Sequence, residues 1–175
     1  MDDTERLAAA VIVRAEEHDS ADEMLAEFAI YLRGCGWQVQ GVVQTNTLGH
    51  DDCAREMFLV DLEDGNRFLI SQNLGPGSIS CSIDPVGVAA ASVALRRGLA
   101  VGADLVIANR FGGLEACGGG FAAEMLALMA DGVPLLTVVS QRHLNDWRRF
   151  TGHAATELLP RRDALEAWFA DLHLE

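Results

Sequence analysis

Lysine is missing from this chain: all thirteen of its basic residues are arginine. That absence excludes Schiff-base chemistry and a phosphate-gripping lysine, because a guanidinium does not replace a tuned ammonium group. Runs of eighteen or more consecutive apolar residues are missing too, so no segment reads as a membrane span. The opening MDDTER is acidic, unlike a secretory signal or an import peptide, and a cytoplasmic protein is expected. Cys35, Cys53, Cys81 and Cys117 form no CxxC pair and read as reduced thiols rather than a disulfide framework. Positive charge is scarce: thirteen basic residues against twenty-six acidic ones leave a net charge of −13. Nucleic acid and anionic membrane are therefore set aside as partners, since binding to either depends on Lys and Arg displacing counterions.

What is present reads as one domain, because 175 residues at 50% hydrophobic content support one sizeable core. The apolar run Leu7 to Val13 has the pattern of a parallel strand covered on both faces. Ser20, three residues before Glu23, has capping-box spacing for a helix carrying Met24, Leu25, Phe28, Ile30, Tyr31 and Leu32 and ending at Gly34. Trp37 to Val43 predicts a second strand, followed by a polar loop from Gln44 to Thr47. MFLVDL and RFLIS, separated by Glu63 to Asn66, predict an antiparallel hairpin. Asp84 and Pro85 suit the N-cap and first position of a helix reaching about Val101. Asp104 to Ala108 is a buried strand, Gly112 to Gly120 a flexible connection, Phe121 to Ala130 a helix, and Pro134 to Val139 the last clear strand. A helix near Asp163 to Leu172 brings Trp168 and Phe169, with Trp147, to close the core. This alternation predicts a three-layer α/β fold, a mainly parallel sheet with helices on both faces and an inserted antiparallel hairpin.

In such a sheet, ligands bind beyond the carboxyl ends of the strands. Those positions carry Arg14, Glu16, Glu17, His18, Asp19 and Ser20, then Gln44 and Asn46, then Asn109 and Arg110, and finally Ser140, Gln141, Arg142 and His143. The first loop has the place of a phosphate cradle but neither its glycines nor its lysine, and three acids stand where the anion would sit. Mg-ATP hydrolysis of the ordinary kind is disfavoured. At NRFGGLE, neutral Asn109 and cationic Arg110 reverse the charge of a metal-holding strand end, so this position prefers an anion. Arg110 could grip a carboxylate or tetrahedral oxyanion, with Glu115 orienting it or acting as base; equally, Arg110 and Glu115 could pair and merely fix the loop. His143 is the second candidate for proton handling. Cys53, Cys81 and Cys117, with His50, are weak candidates for a soft metal; the alternative is that each is a small buried hydrophobe, and no metal is favoured.

Read in order, GWQVQGVVQ, FLVDLEDGNRFLIS, ADLVIANRFGGLE and GVPLLTVV resemble P-loop nucleoside triphosphatases over about residues 8 to 140. Asn109 and Arg110 then occupy the family's acid pair, Gly112 or Gly113 its glycine, and Glu115 its glutamate. Both phosphate-handling motifs depart from the family pattern. Over nearly the whole chain, the GW-V-G-Q strand, the Cys81-Ser-Ile-Asp84-Pro85 segment and the stretch from Asn109 to Glu115 resemble a bacterial family of unknown function, number 2478 in its series. That resemblance implies a link to molybdate or another oxyanion and to molybdenum-pathway proteins. Three functions follow as expectations. The first is a non-hydrolytic accessory protein holding a small anionic or nucleotide-like ligand through Arg14, Ser20, Gln44, Asn109, Arg110 and Arg142. The second is a nucleotide hydrolase or transferase using Glu115 or His143, and the third is a structural partner or homo-oligomer.

Overall fold

The computed structural model describes residues 7–14, 21–48, 55–72 and 82–174. The elements, in chain order, are β1 (Ala9–Arg14), α1 (Ala21–Gly34), β2 (Val39–Leu48), β3 (Arg55–Asp61), β4 (Arg67–Leu69), β5 (Ser71–Gln72), β6 (Ser82–Ile83), α2 (Pro85–Val101), β7 (Leu105–Phe111), α3 (Gly113–Ala116), α4 (Ala122–Ala130), β8 (Leu135–Ser140), α5 (Leu144–Phe150), β9 (Thr156–Leu158) and α6 (Arg162–Leu172). Seven strands form one sheet in the order β4-β3-β2-β7-β8-β1-β9, and β5 pairs with β6 separately. The run from β2 to β9 is parallel throughout, whereas β3 and β4 extend the edge antiparallel.

Alternate residues of the central strands feed two cores. Ala9, Val11, Val106, Ala108, Leu135 and Val139 face α2, α4 and Trp147 of α5. Ala10, Ile12, Leu105, Ile107, Leu136 and Val138 face α1 and α6, with Phe28, Trp168 and Phe169. Burial on both faces is why these strands read as unbroken apolar runs. The expected three-layer fold, hairpin and closing aromatic pair are all found. Asp84 caps α2 as its sequence suggests, accepting from Val86 N at 2.9 Å, and Gly102 ends that helix in the left-handed conformation at φ 60°.

Three expectations need correction. The segment from Gln44 to Thr47 is no loop: β2 runs on to Leu48 because β3 pairs with it from Val42↔Asp61 to Leu48↔Arg55, after the parallel partner β7 has ended at Val42↔Ala108. A strand freed from burial on both sides carries polar residues readily. The glycine-rich connection contains the short helix α3 rather than a flexible link. The chain after β8 forms α5 and then β9, which pairs with the far side of β1 through Ala10↔Thr156 to Ile12↔Leu158. The expected capping residue Ser20 and the acids before it lie outside the described residues.

Gly41 fixes how closely β2 and β7 meet. It sits at φ 111°, and a Cβ there would collide with the backbone oxygen of Ile107, its register partner. A side chain would be strained in conformation and obstructed by backbone that cannot give way. Gly41→Ala is expected to destabilise the protein by more than about 3 kcal/mol, read as a drop in denaturation midpoint or loss of soluble protein.

Candidate functional site

Between the register pairs Ala108↔Thr137 and Phe111↔Val139, two residues of β7, Asn109 and Arg110, stand against one of β8, Val138, so the ladder carries a bulge. Such an extra residue re-aims side chains. The Thr137 hydroxyl donates to the Ala108 carbonyl oxygen beside it. Asn109 is buried, and Arg110 is one-third exposed.

Both are tied to α1. Arg110 Nη2 donates to Asp22 Oδ2 at 3.0 Å. With its amide oriented to satisfy both neighbours, Asn109 donates to Asp22 Oδ1 at 3.1 Å and accepts from Gln44 N at 2.8 Å. Asp22 lies in the first turn of α1, where an acid is also favoured by the helix dipole. One carboxylate therefore joins the start of α1 to the bulge of β7, and Asn109 carries the link on to β2. Arg110 Nε is buried and has no partner among the described residues.

Glu115 does not meet Arg110. Its Oε2 accepts from Gly112 N at 3.0 Å and its Oε1 from Phe121 N at 3.2 Å, so it fastens both ends of the glycine-rich turn. The expected Arg110–Glu115 pair is corrected accordingly: Asp22, 88 residues away, holds the guanidinium, and backbone donors hold the glutamate. Gly120, at φ 54°, leaves no room for a Cβ against Glu115 Oε1. Burial pushes the Glu115 carboxyl above its ordinary range, against the opposing pull of the Gly112 and Phe121 N–H groups, its own backbone N–H and nearby His143.

Gln44, Asn109, Arg110 and Glu115 line one small cavity of about 70 Å³. Its other walls are apolar, with Met57, Leu59, Ile70, Ile83, Val88 and Phe121 among them. Arg14 and Arg142 do not line it. Arg142 is exposed on the turn after β8, and Arg14, opposite Ser140 in register, has partners of its own, as does Gln44. Of the three arginines expected to hold the ligand, Arg110 is the one that borders this cavity. His143 lies by the Gly113 backbone, its ring 3.8 Å from where a Cβ would stand, with Nδ1 at 3.3 Å from Asp146 Oδ2. Of the suggested metal residues, Cys117 is exposed at the end of α3, while His50, Cys53 and Cys81, like Ser20, lie outside the described residues. Among the described residues, no group of three or more His, Cys, Asp or Glu could hold a metal ion, and no helix is long and apolar enough to cross a membrane.

Asp22 is the site residue that the sequence did not single out. As one of several acids near the first turn of a helix, it had a sufficient explanation in the dipole alone.

Solved structures share this architecture. A human cancer-related nucleoside triphosphatase superposes with a TM-score of 0.63 at 15% identity, covering 95% of this chain and 96% of that one. THEP1 from Aquifex aeolicus superposes at 0.64 with 13% identity, covering 93% and 96%. At these identities the likeness establishes a shared fold alone. A curated relative, molybdenum import ATP-binding protein ModC 2 of Bradyrhizobium diazoefficiens, is 37% identical over 163 residues, 93% of this chain. The chain spans only 18% of that protein's length. Residues 8–168 match the family described as "Protein of unknown function (DUF2478)".

Replacing Glu115 separates its two contributions. Glu115→Ala strands two N–H groups and is expected to lower stability by about 1–3 kcal/mol for each that stays dry. Because the folded-state pKa is raised, the glutamate's stabilising contribution is fully present below the ordinary carboxylate range and fades as the pH rises through the folded value. Glu115→Gln should abolish that decline in thermal midpoints followed from about pH 4 to 8.

Proposed function

The chain belongs to the DUF2478 family, and from that premise we propose that it is a non-hydrolytic accessory protein holding an anionic or nucleotide-like ligand at the strand ends. Its associated process is molybdenum import or molybdenum-enzyme metabolism, with molybdate or another oxyanion as the first ligands to test. The observation that carries this reading is the reversed charge at the bulge: Asn109 and Arg110 stand where the resemblance to triphosphatases calls for acids. A fixed guanidinium there favours an anion over a metal ion. The relative's name supports the process, since a segment similar to this chain forms part of a protein named for ATP binding and molybdenum import. In this chain the ligand-binding module would act beside such a protein in the cytoplasm.

Asp22 sets the terms of binding. An incoming anion must share or displace the carboxylate that already occupies Arg110 Nη2, so affinity in the parent protein is modest. Removing the Asp22 charge frees the guanidinium without removing it. Calorimetry with molybdate, tungstate, sulfate and nucleotides is expected to show saturable binding to at least one of them. Binding should be lost in Arg110→Ala and strengthened about tenfold or more in Asp22→Asn. Silence from every ligand with both the parent and Asp22→Asn, or binding indifferent to Arg110→Ala, refutes the proposal.

A second reading is favoured by the Asp146–His143 contact, which orients an imidazole beside the Glu115 turn. In that reading the protein is a nucleotide hydrolase or transferase with His143 or Glu115 handling the proton. Nucleotide turnover that disappears in both His143→Gln and Glu115→Gln would select it over simple binding.

A further inference from the structure

Around the start of β2, at the end of the sheet opposite Arg110, lies a second cavity of about 410 Å³, lined by Arg33, Trp37, Gln38, Gln40, Glu63 and Arg97 among others. It is assembled from the end of α1, the start of β2, the turn between β3 and β4, and the end of α2. Its volume falls within the small-molecule range of roughly 300–1,000 Å³.

Its arginines are already engaged by acids. Arg97 Nη1 grips both oxygens of buried Asp61, at 3.1 and 3.0 Å, and its Nη2 lies 3.9 Å from Asp64. Arg33 donates to the Leu62 carbonyl oxygen and lies 3.7 Å from Glu63. Two guanidinium groups thus meet three carboxylates, and the carbonyl ends of α1 and α2 add negative potential. A bare oxyanion gains nothing here. Both arginines keep unspent N–H donors, however, and both are one-third exposed.

Gln40 shows what is missing. It is only 8% exposed; its Nε2 is spent on Glu63 Oε2 at 2.8 Å, while its Oε1 is buried with no partner among the described residues. A buried acceptor of this kind calls for a donor. Trp37 supplies a platform beside it. One part of its indole packs on Phe169 and His173, at 5.1 and 4.8 Å between centroids, yet the residue stays 37% exposed.

We propose that this cavity binds a planar nitrogen heterocycle with a guanine-type edge, in which a ring N–H stands beside an amino group. The ring stacks on Trp37, the two donors meet Gln40 Oε1 and Glu63, and the ring carbonyl accepts from the spare N–H groups of Arg33 or Arg97. An adenine-type edge, with an acceptor where guanine has its ring N–H, leaves Gln40 unsatisfied. Guanine and pterin share the required edge and are the two sources to distinguish. The proposal stands apart from the strand-end reading, because it uses different residues at the other end of the sheet.

Titration of the full chain with guanosine, pterin and adenosine, followed by calorimetry and by tryptophan emission, tests it. Trp147 and Trp168 are buried, so a quench reports on Trp37. Guanosine or pterin is expected to bind saturably and quench, with adenosine at least about tenfold weaker. Gln40→Leu should lose about tenfold in affinity while its thermal midpoint stays level or rises, since leucine leaves no orphan acceptor. Trp37→Leu should lose both the signal and the heat. The stronger of the two rings names the source. Silence from both at millimolar concentration, equal binding of adenosine, or affinity unchanged in Gln40→Leu overturns the proposal.

Discussion

The strand-end site depends on one carboxylate. Asp22 accepts from Arg110 and from Asn109, and Asn109 in turn accepts from the backbone of Gln44, so the first turn of α1, the bulge of β7 and the free length of β2 move together or not at all. Buried polar groups impose such coupling because each loses heavily when left alone, whereas a satisfied network holds one arrangement. Arg110 is consequently positioned and partly neutralised by the same contact. On the proposed reading, selectivity at this end of the sheet would be a competition between an internal acid and an external one.

The two ends of the sheet differ in the same terms. At the carboxyl ends, one half-satisfied guanidinium faces a small and mostly apolar cavity. At the opposite end, a larger cavity has more carboxylates than guanidinium groups and an unanswered acceptor. On the readings proposed above, the first arrangement would discriminate by charge and the second by hydrogen-bond pattern. A fold that presents its loops at both ends can therefore hold two chemistries without mixing them.

Most of the fold was legible in the residues because two-sided burial writes itself as short apolar runs, as in LAAAVIV, DLVIA and PLLTVV. The cap at Asp84 and Pro85 was legible because its chemistry is local. The outer half of β2 was not: its alternating Gln, Thr and Asn residues look like a loop until β3 lies beside them. Strand β9, three residues long, has too little pattern to announce itself. At the site, Asn109, Arg110 and Glu115 stood out by residue type and position. Their partners did not, since Asp22 lies 88 residues from Arg110 and the fasteners of Glu115 are backbone N–H groups common to every residue. Side-chain type is written in a sequence, but pairing over such distances is a product of the fold.

The bulge in β7 has a further consequence for how this family can vary. Side chains along a regular strand alternate between faces, and it is the bulge that lets Asn109 and Arg110, though adjacent, both turn to α1. Ala108 and Phe111 both face the α2 core, so loss of one residue between them would even the ladder with β8 and leave a single side chain on the α1 face, where Asp22 now meets two. Relatives that shorten the stretch would give up one of the two partners of Asp22 in a single step while keeping the strand itself intact.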